Sequence, residues 1–135
     1  MLRLTLLLLL LAPLPALAAG CERPAPLRFA PGSVGAVVEG GVPRGMPDCW
    51  TLNARAGQLM EARLTSAGNN AVLALYPPGW RLRRDRGGGF EVEGKAMTGA
   101  DSTGTRVTLP SSGDYLLVIN TSRGSADYRL GVAVR

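Results

Sequence analysis

The sequence predicts an all-β protein, an antiparallel β-sandwich of about eight short strands in one domain. Composition is the first reason. The 135 residues include 18 glycines and 10 prolines, aromatics make up 5 %, and no long stretch keeps a helical period. The second is alternation: several short segments place apolar side chains at every other position, with turn residues between them. The third is residues 109–120, around which the chain is organised. Pro110 and Gly113 bracket Ser111 and Ser112 as a turn. The run that follows sets Tyr115, Leu117 and Ile119 on one face and Leu116, Val118 and Asn120 on the other. Large apolar groups on both faces mark an interior strand.

In chain order, Glu22 to Pro26 is extended, because Pro24 and Pro26 forbid helix. Leu27, Arg28 and Phe29 alternate and begin a first strand, and Pro31 and Gly32 turn the chain. Residues 34–39 form a second strand, and residues 40–47, with three glycines and two prolines, form a loop. In a third strand, residues 48–54, Trp50, Leu52 and Ala54 share one face. Ala56, Gly57 and Gln58 make a tight turn into residues 59–65, where Met60, Ala62 and Leu64 point inward; the two strands are expected to pair as a hairpin. Residues 71–76 are apolar throughout and read as a central strand covered on both faces. Pro77, Pro78 and Gly79 stop it. Arg81, Arg83, Arg84 and Arg86 then crowd before three glycines, and Phe90 and Val92 alternate with Glu91 and Glu93 as a short edge strand. Residues 94–104 are a polar loop, and Thr105, Val107 and Leu109 alternate into the organising stretch. A turn over residues 121–125 precedes a last strand that carries Tyr128, Leu130, Val132 and Val134 on one face.

Residues 1–20 stand apart as an export signal: Arg3 supplies the basic start, an apolar run extends from Leu4 to Leu17, and Ala16-Leu17-Ala18 fits signal peptidase. The run is short for a membrane span, and no second apolar segment follows. The domain is therefore expected over residues 21–135, in the periplasm or outside the cell. Two cysteines in an oxidising compartment imply a Cys21–Cys49 disulfide, worth roughly 3–4 kcal/mol for a loop of this size. A second reading of Cys21 stays open: Ala18-Ala19-Gly20-Cys21 resembles a bacterial lipobox, which would make Cys21 a lipid anchor on the outer membrane.

Charge and missing residue types exclude several functions. The formal charge is +5, and loss of Arg3 with the signal leaves 14 basic against 10 acidic residues. Such a surface suits an anionic glycan, lipid headgroups or an acidic cleft; no nucleic-acid-binding module is present. The chain has no histidine, which removes Ser-His-Asp and Cys-His catalysis and histidine-based zinc sites. An enzyme is not expected, and neither a cofactor nor a metal. Asp101 to Gly104 reads as an ordinary turn, not a calcium loop, and Glu91 with Glu93 as a solvated pair.

Three segments are familiar. Residues 48–58, with their Ala56-Gly57-Gln58 turn, residues 109–115 with the strand that follows, and Ala126-Asp127-Tyr128-Arg129-Leu130 resemble bacterial pre-peptidase C-terminal domains. As a free-standing exported domain the chain also resembles the periplasmic inhibitors of invertebrate-type and goose-type lysozymes. In the invertebrate-type inhibitors a loop of pattern S-G-x-Y enters the lysozyme cleft, and Ser112-Gly113-Asp114-Tyr115 matches it. The resemblance implies a non-catalytic protein that blocks a lysozyme or related cell-wall hydrolase, with Ser112, Gly113 and Tyr115 as contacts. The alternative site is Trp80 with Arg81, Arg83, Arg84 and Arg86, where a ring and guanidinium forks would take an anionic glycan or envelope component. Exposure separates the two: the first needs the Ser112 and Tyr115 hydroxyls in solvent, the second needs Trp80 open beside the arginines.

Overall fold

The computed structural model describes residues 20–135; the expected signal peptide, residues 1–20, lies outside them except for Gly20. Ten strands form, and no helix occurs among the described residues. They are β1 (Ala25–Pro26), β2 (Gly35–Val42), β3 (Asp48–Ala54), β4 (Leu59–Ser66), β5 (Ala71–Tyr76), β6 (Arg81–Arg84), β7 (Phe90–Glu93), β8 (Gly104–Thr108), β9 (Gly113–Thr121) and β10 (Ala126–Val134). One sheet has the order β1-β3-β9-β5, the other β2-β10-β4-β8, and β6 and β7 make a separate hairpin. All pairings are antiparallel except the two-residue β1–β3 contact. The β-sandwich read from the sequence is the fold, with β6 as an addition.

The core lies between the two sheets. Trp50, Leu52, Leu73, Leu75, Tyr115, Leu117 and Ile119 enter from one side and Met60, Leu64, Leu130 and Val132 from the other, all buried. β9 is the interior strand its two apolar faces required, between β3 and β5.

Four expectations are corrected. β3 and β4 are not a hairpin: β3 pairs with β9, and β4 with β10 and β8. The turn at Gly57, where φ is +87°, passes the chain from one sheet to the other. Both strands still point their apolar residues inward, because each lines the same core from opposite sides. β5 is also not central in its sheet but an edge strand. Its apolar character comes from other coverings. Backbone of the following loop runs along its free edge, with Leu73 N–H donating to Ser102 O at 2.7 Å and Met97 N–H to Leu75 O at 2.7 Å. The β6–β7 hairpin packs Leu82, Phe90 and Val92 near Tyr76 and Val118 on the outer face of this sheet.

The first strand falls on Ala25 and Pro26, not on residues 27–29, although Leu27 is buried and its N–H donates to Thr51 O at 2.8 Å. The second runs on through Gly40 and Gly41, which were expected in a loop. Gly40 has a packing reason: a Cβ there would lie 2.6 Å from the Tyr128 hydroxyl.

The Tyr128 hydroxyl is part of a buried polar chain. Trp50 Nε1–H donates to it at 2.9 Å, and it donates to Asp48 Oδ2 at 2.8 Å. Asp48 is 5 % exposed. Burial raises its pKa above the ordinary 3.8, and the Tyr128 hydrogen bond offsets part of that rise. Burial likewise pushes the Tyr128 hydroxyl up.

Cys21 and Cys49 are joined as a disulfide, which fastens the N-terminal segment to β3. A lipid thioether would need the same Cys21 sulfur, so the bond and the lipobox reading exclude one another chemically.

Candidate functional site

The turn between β8 and β9 is built from inside outward. Tyr115 is fully buried and belongs to the core. Its hydroxyl donates to Ser111 O at 2.7 Å and accepts from Ser111 N–H at 3.3 Å. A tyrosine hydroxyl turned back onto upstream backbone is a recurrent fastening in β-sandwiches. This corrects the expectation that Tyr115 reaches a partner: its ring and its hydroxyl are both used to hold the turn. The strand alternation that made Tyr115 part of an apolar face is the signal for this role.

Ser112 is exposed, and its Oγ accepts from Ala56 N–H at 2.8 Å. The two connections at this end of the sandwich, residues 55–58 and 109–113, are thereby stitched together. Gly57 N–H to Leu109 O and Leu109 N–H to Gln58 O, both 2.8 Å, continue the stitching. Gly113 needs to be glycine on two counts: its φ is +142°, and a Cβ would meet the Pro78 ring at 3.1 Å. The exposed Asp114 carboxylate accepts from Asn53 Nδ2 at 2.9 Å.

Trp80 belongs to this same site. Its indole N–H donates to Asp114 O at 2.9 Å, and its ring is half-buried with the outer apolar cluster. Residues from both sequence-derived sites therefore converge, with Trp80 bracing the turn and not standing open among the arginines. Asn53 and Pro78 were missed by sequence reasoning, since they sit on other elements and neither bears a recognisable motif.

The arginines do not form one patch. On β6 they alternate between faces. Arg83 bridges Glu91 at 3.2 Å and Glu93 at 3.4 Å on the solvent side. Arg84 pairs with Glu22 at 2.8 Å and lies over the Phe90 ring at 5.3 Å. Arg81 and Arg86 are exposed and form no ion pair among the described residues. A cleft of about 430 Å³ runs beneath the hairpin, but Val72, Tyr76, Leu82, Phe90 and Val92 line it, with neither Trp80 nor any of the four arginines. The geometry therefore does not assemble the expected anionic-glycan site. At the neighbouring loop, Ser102 Oγ donates to Gly104 O at 2.7 Å, an ordinary serine turn.

This small disulfide-bonded sandwich, with a fastened turn at one end, has the fold of a class of bacterial periplasmic inhibitors. The chain is 24 % identical to Aeromonas hydrophila PliG, a periplasmic inhibitor of g-type lysozyme, with a TM-score of 0.65 over 82 % of this chain and 95 % of that one. Salmonella Typhimurium PliG, also an inhibitor of g-type lysozyme, is 20 % identical, with a TM-score of 0.59 over 84 % of this chain and 98 % of that one. A mutant of the Escherichia coli protein is 17 % identical, with a TM-score of 0.56 over 82 % and 96 %. Likeness at these identities establishes the shared fold. No family model matches the chain, pre-peptidase C-terminal domains included, and no curated protein matches it either.

Proposed function

We propose that the protein is an exported, non-catalytic inhibitor that blocks a cell-wall lysozyme, with the goose-type class as its first target. The fold it shares with three inhibitors of that class supports the reading. The observation that carries it is the condition of the turn: Ser112, Gly113 and Asp114 stand at the surface on a backbone tied at Ser111, Ala56 and Trp80. A turn already fixed in shape loses little freedom on entering a cleft, so its contacts count toward affinity. In this reading the Ser112 and Asp114 side chains face the enzyme, Gly113 allows close backbone approach, and Tyr115 acts from behind as a positioning residue. The S-G-x-Y pattern then serves geometry first and contact second. Export to the periplasm is part of the proposal, since it is where such an inhibitor would meet its target.

Inhibition of goose-type, invertebrate-type and chicken-type lysozymes by the purified protein tests it, alongside Ser112→Arg with its melting temperature checked. Selective inhibition of the goose-type enzyme, lost in a folded Ser112→Arg variant, is the expected result. No inhibition of any class would overturn the proposal; inhibition untouched by the substitution would move the contact away from this turn.

A further inference from the structure

The two sheets have four edges, and three are protected. β5 is covered by the loop backbone already described. β1 is two residues long and flanked by Pro24. β8 is five residues long and carries Arg106, which pairs with Glu61 at 3.3 Å. Shortness, proline and charge are the usual ways of blunting a strand edge. β2 has none of them except Glu39: it is eight residues long, without proline or lysine, and paired on one side only. Val34 and Val37 at this edge are 54 % and 58 % exposed.

Register fixes which groups are free. Val134 N–H donates to Val34 O, so even-numbered β2 residues turn their backbone groups toward β10, and Val37, Glu39 and Gly41 turn theirs outward. Gly35 also faces out, but Ser33 Oγ caps it, accepting from Gly35 N–H at 3.3 Å and donating to Gly35 O at 2.8 Å.

We infer that β2 is a self-association edge that pairs antiparallel with β2 of a second copy, joining the two four-stranded sheets into one. A two-fold axis at Val38 sets Val37 of each copy against Glu39 of the other, so the free N–H and C=O groups of both residues bond reciprocally. Charge selects this register. Glu39 is the one charged residue on the strand, and here it faces a valine; an axis at Glu39 would set two carboxylates together. On the core side the half-buried Val38 meets its own copy and extends the apolar layer. This interface is separate from the Ser112 turn and does not depend on the inhibitor proposal.

Sedimentation of the purified protein with its disulfide intact, over a wide concentration range, tests the inference. The expected result is a monomer–dimer equilibrium. Val37→Glu, which opposes Glu39 twice, weakens it at least about tenfold. Val37→Lys, which faces Glu39 with the opposite charge, keeps it, as does Thr108→Lys on the β8 edge. A monomer at every concentration overturns the inference, and so does a dimer that survives Val37→Glu or is lost in both Val37 variants. Should a variant fail to fold, amide exchange in the unaltered protein decides: Val37 and Glu39 gain protection on concentration while Arg106 and Thr108 do not. Unchanged exchange at these two β2 amides overturns it.

Discussion

Two buried tyrosines sit at opposite ends of the sandwich and use their hydroxyls differently. Tyr115 spends its hydroxyl on the backbone of an exposed turn. Tyr128 spends its hydroxyl within the interior, between the Trp50 indole and the Asp48 carboxylate. At the first end the polar bond orders a surface and leaves side chains facing solvent. At the second it satisfies groups that would otherwise be buried without partners. The same residue type thus orders a surface turn at one end and satisfies buried polar groups at the other.

The largest test of that contrast is a pair of substitutions. Tyr128→Phe leaves the Asp48 carboxyl and the Trp50 N–H unpaired in the interior and is expected to cost about 2–4 kcal/mol. Tyr115→Phe releases backbone groups that water can reach and should cost only about 0.5–1.5 kcal/mol. Equal losses in denaturant unfolding would break the comparison. Tyr115→Phe should nevertheless weaken lysozyme inhibition, because the turn loses its fastening, whereas Tyr128→Phe should leave inhibition intact wherever the protein remains folded.

The second test is Gly113→Ala, which combines an unfavourable φ with a contact on Pro78. About 1–2 kcal/mol of destabilisation is expected, with a displaced turn and reduced inhibition. The third, smaller effect is pH dependence. Because burial raises the Asp48 pKa, the native state holds that proton at pH values where the unfolded chain has released it. The stabilisation from Asp48 is complete below the ordinary carboxylate value and is lost as pH rises through the raised one. Asp48→Asn cannot ionise, so the wild-type advantage in melting temperature over this variant should shrink from acid to neutral pH. A difference that stays flat would show that Asp48 titrates as an ordinary carboxylate.

Alternation was enough to read β3, β4, β9 and β10 and the inward face of each. It was not enough to pair them. Trp50, Leu52 and Ala54 show the same pattern whether the next strand lies beside β3 or across the core from it, so the hairpin and the sheet crossing look alike in sequence. β5 misled in the same way, since a strand covered by a loop and a hairpin is as apolar as a central one. The site was half legible. The Ser111–Tyr115 segment announced a turn followed by a buried strand, but the Trp80–Asp114 bond joins residues 34 positions apart and carries no local signal. The arginine run looked like one patch because sequence proximity hides the two faces of β6.

The order of strands has a consequence for how the molecule comes into being. The two strands that join their neighbours in each sheet, β9 and β10, come last in chain order among the ten. Until β9 is present, β3 and β5 have no ladder between them; until β10 is present, β2 and β4 have none. Nearly every stabilising pairing therefore spans a long stretch of chain, which makes folding slow relative to helical proteins of this size. A nascent chain that has not yet exposed β9 and β10 keeps the β4–β8 and β6–β7 pairings but lacks the ladders that join β3 to β5 and β2 to β4, so the sandwich closes only once both strands are available.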